Sequence, residues 1–209
     1  DLKIIANVSG HSVEEYVGIV EKISDADIDL IEMNISCPNV KCGGLTFGTQ
    51  PKMVEEVVSA AKAVAKKPLI VKLTPNVTDI AEIARAAVSA GADALSLINT
   101  LLGMRIDVES RRPILSNIMG GLSGPAVFPV AVRMVYQVAN AVKIPVIGMG
   151  GIMTAEDALE FILAGATAVS VGTANFINPD TTIQVIEGIE AYMKKYGVED
   201  IHELIGAVH

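Results

Sequence analysis

The chain has 209 residues, of which 51% are hydrophobic, and it contains 18 Gly and no Trp. This is enough apolar material for one sizeable core, so we expect a single α/β domain over residues 1–209. The 24 acidic and 16 basic residues give a formal net charge of −8. This balance disfavours nucleic-acid binding, because such binding depends on clustered Lys and Arg side chains.

The apolar runs and the cysteine count indicate a cytoplasmic protein. Runs such as IPVIGMGGIM are shorter than the roughly 18 to 20 residues that a membrane span needs. The first residues, DLKIIANVSG, lack the basic start and the cleavage site of a secretory signal. Cys37 and Cys42 are too few for the roughly four thiolates of an iron–sulfur cluster. We therefore predict reduced thiols and no metal site.

Short β-rich runs alternate with longer amphipathic runs along the chain. In chain order the strand-like runs are KIIANVS, LIEMNIS, PLIVKLT, ALSLINT, IPVIGMG and AVSVGTA. The helix-like runs that follow them are VEEYVGIVEKIS, PKMVEEVVSAAKAVAK, DIAEIARAAVSAG, PAVFPVAVRMVYQVANAV, AEDALEFILAG and TTIQVIEGIEAYMKKYG. Continuous apolar strands are typical of parallel strands buried on both faces. The pattern predicts six strand–helix units and a parallel sheet.

Residues typical of helix ends support these boundaries. Gly residues in AGAD and AGAT are placed to end helices, and Thr154 is placed to cap the next helix. The residues from Ile4 to Val8 are expected to form a buried strand without a lead-in, so the chain is expected to begin partway through a fold. One long insertion, NTLLGMRIDVESRRPILSNIMGGLSG, separates a strand from its helix, and loops of that length usually carry function.

Two architectures accommodate six such units: an open doubly wound sheet, or part of an eight-stranded (β/α)8 TIM barrel. Polar or glycine residues stand at or just beyond the end of each strand, namely Asn7, Asn34, Lys72, Asn99, Gly150 and Gly172. An open sheet concentrates its site at one switch point, whereas a barrel mouth draws on every strand end. The distribution favours a TIM barrel.

Two glycine-rich strand ends predict an anion site. Gly150 with Gly151, and Gly172 with Thr173, allow backbone N–H groups to surround a phosphate without a Cβ in the way. Barrels commonly bind phosphate after their last two strands. The alternative is that these glycines only form tight turns.

Lys72, Asn99 and Thr100 are polar groups at two other strand ends. Lys72 ends the apolar run PLIVKL, where a buried ammonium is costly unless an anion is near. Alternatively, it extends from the strand end into solvent. Asn99 and Thr100 offer an amide and a hydroxyl for a planar heterocycle or a carboxylate, unless they only form a turn.

Cys37 is a candidate acid–base residue. It follows a strand end, and Asn34 and Asn39 supply hydrogen-bonding amides on either side of it. A thiolate in this setting can accept a proton from a substrate carbon. The alternative is an inert, buried thiol. Cys42 has no comparable neighbours, and the three histidines are scattered, so neither is a catalytic candidate.

Six motifs of the chain form a recognisable combination: EMNISCPNVKCGG, VKLTPN, INTLLGMRID, GGLSGPA, PVIGMGGI and VSVGTA. Together they resemble the class 1B dihydroorotate dehydrogenases, which are FMN-dependent TIM barrels of pyrimidine biosynthesis. The motifs extend along essentially all of the chain. NISCPNV followed by KCGG, with GGLSGPA downstream, is the specific combination, whereas GMGGI occurs in many phosphate-binding barrels.

The resemblance implies roles for the substrate residues. Cys37 would remove a proton from dihydroorotate while a hydride passes to the flavin. Asn34 would contact both flavin and substrate, and Asn99 with Thr100 would hold the orotate ring.

The resemblance also implies a set of flavin contacts. Lys72 would lie by the flavin ring and stabilise negative charge on its reduced form, with Asn7, Ile98 and Gly124 nearby. The FMN phosphate would be enclosed by Gly150, Gly151, Gly172 and Thr173.

The same resemblance implies a partner subunit and two strand–helix units that these residues do not include. A separate subunit with FAD and a 2Fe-2S cluster would pass electrons to NAD, and the chain would form a homodimer within a heterotetramer. The first two strand–helix units of the family have no counterpart here, so about six of the eight units are expected. Two other functions stay open: a related flavin barrel that reduces uracil-type pyrimidines, and a flavin-free barrel fragment that binds only phosphate.

Overall fold

The computed structural model describes residues 2–36, 38–39 and 45–208, with the backbone alone for 38–39 and 45–46. In chain order its strands are β1 (Ile5–Val8), β2 (Leu30–Asn34), β3 (Pro38–Asn39), β4 (Leu45–Thr46), β5 (Leu69–Lys72), β6 (Ala94–Leu97), β7 (Leu101–Gly103), β8 (Ile106–Asp107), β9 (Arg112–Pro113), β10 (Gly120–Leu122), β11 (Val146–Met149) and β12 (Ala168–Ser170). Its α-helices are α1 (Val13–Ile23), α2 (Pro51–Val64), α3 (Ile80–Ser89), α4 (Phe128–Ala141), α5 (Ala155–Leu163), α6 (Ala174–Ile177) and α7 (Thr181–Tyr196). Short 3₁₀ helices lie at Phe47–Thr49, Pro125–Val127 and Ile201–Leu204.

Six strands form one parallel sheet in the order β1-β2-β5-β6-β11-β12, and the sheet curls into part of a barrel. Each new strand lies beside the preceding one without a reversal of order, which is barrel winding and not the doubly wound arrangement. The predicted α/β barrel architecture with six strand–helix units is therefore confirmed. Because all six strands run the same way, their carboxyl ends lie on one side of the sheet.

The two outer strands differ from the expectation of fully buried strands. Ile4 and Ile5 are 48% and 45% exposed, and Ala168 and Ser170 of β12 are exposed as well. Within the ranges that the structure describes, β1 pairs only with β2 and β12 only with β11. The prediction of a buried strand from Ile4 to Val8 is therefore wrong apart from Val8 itself, because an edge strand lacks a covering neighbour.

The main core lies between the sheet and its helices. Along β2, Ile31 and Met33 are fully buried in this core. Glu32 and Asn34, which alternate with them, instead make polar contacts with Ser96 of β6 and with Asn99, which follows β6. This alternation follows from the period of two along a strand. The face of the sheet that looks into the partial barrel is therefore polar near the carboxyl ends of the strands.

Helix boundaries follow the signals in the sequence. The Thr154 hydroxyl accepts a hydrogen bond from the backbone N–H of Asp157 at 3.2 Å, and the Asp157 carboxylate closes the capping box. Gly91 and Gly165 have φ values of 100° and 113° just after α3 and α5, as predicted for helix ends. Among the described residues, no helix combines the length and the apolar character that crossing a bilayer requires.

Asp93 joins α2 to the start of β5. Its carboxylate accepts a hydrogen bond from the Leu69 N–H at 2.7 Å and pairs with Lys62 Nζ at 2.5 Å. Partial burial opposes ionisation, but the Leu69 N–H and the Lys62 ammonium outweigh it and hold the pKa of the Asp93 carboxyl below its usual range. This contact fixes the amino end of the strand whose other end carries Lys72.

The long segment between β6 and α4 contains two small antiparallel pairs, β7 with β10 and β8 with β9. The predicted insertion is therefore present as an excursion from the barrel. Several of its large apolar side chains are exposed, including Leu102, Val108 and Ile114. The excursion ends at Gly124, which has φ 85° and precedes the 3₁₀ helix that leads into α4.

Candidate active site

A cavity of about 240 Å³ lies beyond the carboxyl ends of β5, β11 and β12. The predicted site residues that line it are Lys72, Gly124, Gly150, Gly151, Gly172 and Thr173. Met149, Ser170 and Ile177 also contribute to its surface. The fold thus gathers residues that lie a hundred positions apart in the sequence around one space, while their roles in binding stay predictions.

Backbone geometry accounts for two of these glycines without any ligand. Gly150 has φ 135° and Gly151 has φ 80°, a region that favours glycine. A Cβ on Gly151 would lie 2.6 Å from the carbonyl oxygen of Gly124, and a Cβ on Gly150 would lie 2.8 Å from the Cβ of Ala131. A Cβ on Gly172 would meet nothing within 4 Å among the described atoms. Gly172, like Gly124, therefore has free volume where a Cβ would stand, but only Gly124 of these two has a positive φ.

A polar cluster adjoins the cavity and shares Lys72 with it. Its centre is Glu32, which is only 9% exposed. The carboxylate Oε1 accepts a hydrogen bond from Ser96 Oγ at 2.6 Å, and Oε2 accepts one from Asn7 Nδ2. Lys72 Nζ lies 3.5 Å from Oε2. The carboxylate therefore links side chains from β1, β5 and β6 to β2.

Sequence reasoning missed Glu32. The signal was present, because a Glu in the middle of the apolar run LIEMNIS is as unusual as the Lys that ends PLIVKL. It was not apparent that the two residues would meet, since 40 positions separate them. Parallel pairing places Asn34 opposite Lys72 and thereby brings Glu32 within reach of the ammonium.

The predicted substrate residues meet at the ends of β2 and β6. Asn99 Nδ2 donates a hydrogen bond to Asn34 Oδ1 at 2.9 Å, and Asn99 Oδ1 accepts one from the Thr100 N–H at 2.7 Å. The Tyr16 hydroxyl donates to the Asn34 carbonyl oxygen at 2.5 Å. The bond between the two amides fixes the orientation of both side chains.

Asn76 is a second residue that sequence reasoning missed. Its Nδ2 donates to the carbonyl oxygen of Thr100 at 3.0 Å, and its Oδ1 accepts from the N–H of Leu102 at 2.9 Å. The side chain thus binds the backbone of the segment after β6 both as a donor and as an acceptor. This arrangement holds Asn99 and Thr100 in place from the neighbouring strand end.

Some predicted residues lie apart from the cavity or beyond the described chain. The cavity is not lined by Asn7, Asn34, Ile98, Asn99 or Thr100. Ile98 is buried, and its N–H donates to the Met149 carbonyl oxygen at 2.9 Å, so it supports the strand end that carries Gly150. Cys37 and Cys42 lie outside the described residues. The role of Cys37 therefore stays a prediction.

The fold and the site define an α/β barrel-type protein whose glycine-lined cavity and polar cluster lie at the carboxyl ends of its strands. Residues 1–193 match the family model described as dihydroorotate dehydrogenase. The chain belongs to the dihydroorotate dehydrogenase family, which is a family of oxidoreductases.

Two relatives illustrate the similarity. The chain is 69% identical over 206 residues to the "Dihydroorotate dehydrogenase B (NAD(+)), catalytic subunit" of Alkaliphilus oremlandii, covering 99% of this chain and 68% of that protein. It is 60% identical over 206 residues to the protein of the same name from Bacteroides fragilis, covering 98% of this chain and 68% of that protein. The chain thus spans about two thirds of their length.

A solved structure supports the fold. The crystal structure of the Eimeria tenella DHODH in complex with ferulenol superposes with a TM-score of 0.75 at 25% sequence identity. The alignment covers 93% of this chain and 57% of that chain. The partial barrel described above therefore corresponds to part of a larger solved protein.

Proposed function

We propose that the protein to which this chain contributes oxidises dihydroorotate to orotate in pyrimidine biosynthesis, with FMN as its cofactor. The observation that carries the proposal is the position of Lys72. This residue lines the glycine-rich cavity, and its ammonium contacts Glu32 of the polar cluster, two residues before Asn34 on β2. The flavin of FMN and the ring of dihydroorotate would then both lie close to the Lys72 ammonium.

The residues present fit a flavin mononucleotide. Gly150 and Gly151 turn the backbone after β11 in conformations that other residues rarely adopt, and Gly172 leaves free volume beside the cavity. A lining without side chains lets backbone N–H groups approach a phosphate closely. Lys72 supplies positive charge at the edge of the same cavity. When bound, FMN would supply a two-electron acceptor for a hydride from the substrate.

The side chains beside the cavity would hold and deprotonate the substrate. Asn34 and Asn99, oriented by their mutual hydrogen bond, would present amide groups to the orotate ring together with Thr100. Cys37, which lies three residues beyond Asn34, would remove the proton whose loss accompanies hydride transfer. A general base of this kind contributes about 10² to 10⁴-fold to the rate.

The names of the relatives support a partner subunit. They are called the catalytic subunit of an enzyme that uses NAD(+). We accordingly propose that a second subunit, with FAD and a 2Fe-2S cluster, passes electrons from FMN to NAD, and that the chain is part of a homodimer within a heterotetramer. A cytoplasmic location fits this metabolic role.

Cofactor identity and substrate choice test the proposal. The full-length protein, purified and then denatured, should release FMN, and dihydroorotate should reduce the bound flavin under anaerobic conditions. Release of FAD, or the absence of any flavin, would refute the cofactor assignment. Turnover of uracil-type pyrimidines in preference to dihydroorotate would instead identify a related pyrimidine reductase.

A further inference from the structure

The Glu32 carboxylate is the part of the site that the proposed function leaves unused. It is 9% exposed in the middle of β2, while its register partner in β5 is the apolar Ile70. A buried carboxylate costs several kcal/mol unless it is paired and hydrogen-bonded. An apolar residue would satisfy the fold at this position, so the charge itself calls for an explanation.

Neutral donors hold the carboxylate in place. Ser96 Oγ donates to Oε1 at 2.6 Å, and Asn7 Nδ2 donates to Oε2. Lys72 Nζ is further away, at 3.5 Å from Oε2. The orientation of the carboxylate therefore depends on Ser96 and Asn7, while its charge pairs with Lys72 over a longer contact.

The pair presents a partly compensated cation to the cavity. The Lys72 and Glu32 side chains are only 20% and 11% exposed, so solvent screens their interaction weakly. In the part of the chain that the structure describes, Glu32 is the acidic side chain paired with Lys72. An anion in the cavity would therefore encounter a fixed charge pair and not an isolated positive charge.

We infer that Glu32 is a positioning residue that fixes Lys72 at the edge of the cavity and limits how strongly Lys72 stabilises negative charge there. The inference rests on the proposed function, in which that negative charge forms on the reduced flavin. Glu32 would thereby lower the reduction potential of the bound flavin relative to a site with Lys72 alone. Ser96 would moderate the effect, because its hydrogen bond stabilises the carboxylate charge.

The first test replaces the charge and keeps the shape. In full-length Glu32→Gln, the amide can still accept from Asn7 and donate to Ser96, so FMN should stay bound. Its midpoint potential, measured by anaerobic titration with a reference dye, should be more positive than that of the parent. Glu187→Gln is the matched control, because it removes the same charge from an exposed position on α7 and should leave the potential and the activity unchanged.

A second variant reverses the expected sign. Ser96→Ala removes the donor to Oε1 and leaves both charges in place. The carboxylate then offsets more of the Lys72 charge, so the reduction potential of the flavin should fall. A merely structural role for the cluster would not move the potential in opposite directions in two variants. This test also applies if Glu32→Gln does not fold.

The outcomes separate the inference from the proposed function. Opposite shifts in the two variants, with no shift in Glu187→Gln, would support the inference. A parent protein that binds FMN and is reduced by dihydroorotate, with Glu32→Gln and Ser96→Ala both at the parent potential, would overturn it alone. The inference would also be overturned if folded Glu32→Gln lost its FMN, because removing a carboxylate should not weaken the binding of an anionic cofactor. A parent protein without flavin would instead refute the proposed function.

Discussion

The glycine-lined cavity beside β11 and β12 and the polar cluster beside β2 and β6 are built from different parts of the chain. Glycines form part of the cavity lining, with Gly124, Gly150 and Gly151 in conformations that suit glycine. The region of β2 and β6 consists of side chains: the cluster centred on Glu32, and the Asn34 and Asn99 amides, which fix one another by a hydrogen bond. A backbone surface can hold a phosphate on any ligand, whereas oriented amides distinguish one ring from another. We therefore propose that anion affinity and ring selectivity reside in separate regions.

The largest expected effect concerns the substrate side of this comparison. Cys37→Ala in the full-length protein should keep its FMN but lose about 10² to 10⁴-fold in the rate of flavin reduction by dihydroorotate, because the proton acceptor is gone. Cys37→Ser should retain a fraction of the rate that rises with pH, since a hydroxyl is a weaker base than a thiolate. Anaerobic stopped-flow absorbance measures both variants.

The second thiol supplies the control. Cys42→Ala should stay within a few-fold of the parent, because Cys42 has no neighbouring amides comparable to Asn34 and Asn39. Equal rates for Cys37→Ala and the parent would remove the thiol from the mechanism.

A pair of glycine variants tests the cofactor side. Gly151→Ala should destabilise the apoprotein by about 1 to 3 kcal/mol, because its φ of 80° is strained for alanine and its Cβ would meet the Gly124 carbonyl oxygen. Gly172→Ala should leave the free energy of unfolding within about 0.5 kcal/mol. It should nevertheless weaken FMN binding about tenfold, a difference of roughly 1.4 kcal/mol, because the new methyl group enters free volume beside the cavity.

Two measurements separate these effects. Urea unfolding of the apoproteins gives the stabilities, and quenching of FMN fluorescence gives the affinities. If Gly172→Ala bound FMN as tightly as the parent, Gly172 would not lie beside the phosphate. If Gly151→Ala were as stable as the parent, the close approach of Gly151 to Gly124 would not constrain the fold.

The smallest expected effect tests the scaffold common to both regions. The pKa of Asp93 is lowered in the folded state, so its contribution to stability is present above the unfolded value near 3.8 and is lost as the pH falls through the folded value. Asp93→Asn should therefore be less stable than the parent at neutral pH, and the difference should shrink in acid. Asp27→Asn, at an exposed position after α1, is the control. Thermal unfolding from pH 7 to pH 3 measures both variants, and a difference for Asp93→Asn that does not change with pH would contradict this account.

The sequence predicted the parts of the fold that local patterns encode. The six strand–helix units, the glycine at the end of α3 and the Thr154 cap all follow from periodicity and turn chemistry, and the structure contains them. The exposure of β1 and β12 was not predictable in this way, because it depends on which strand lies beside each edge. An apolar run looks the same in a central strand and in an edge strand.

The site divides along similar lines. Lys72 and Gly150, which line the cavity, were predicted because a Lys or a Gly at a strand end is locally unusual, whereas Gly124 was implied only by the family resemblance. Glu32 and Asn76 were missed because their importance comes from long-range partners: Ser96 for Glu32 and the backbone of Thr100 for Asn76. Strand register creates these contacts, and no short motif contains both partners.

The position of the flavin phosphate tests the central claim most directly. A crystal structure of the full-length protein with FMN should show the phosphate within hydrogen-bond distance of the backbone N–H groups of Gly150, Gly151, Gly172 and Thr173. The flavin ring should then extend toward Lys72 and the polar cluster centred on Glu32. A phosphate bound to the Lys72 ammonium instead, with the ring beside α6, would contradict the assignment of anion affinity to the glycine-lined cavity and of ring selectivity to the Asn34 and Asn99 amides.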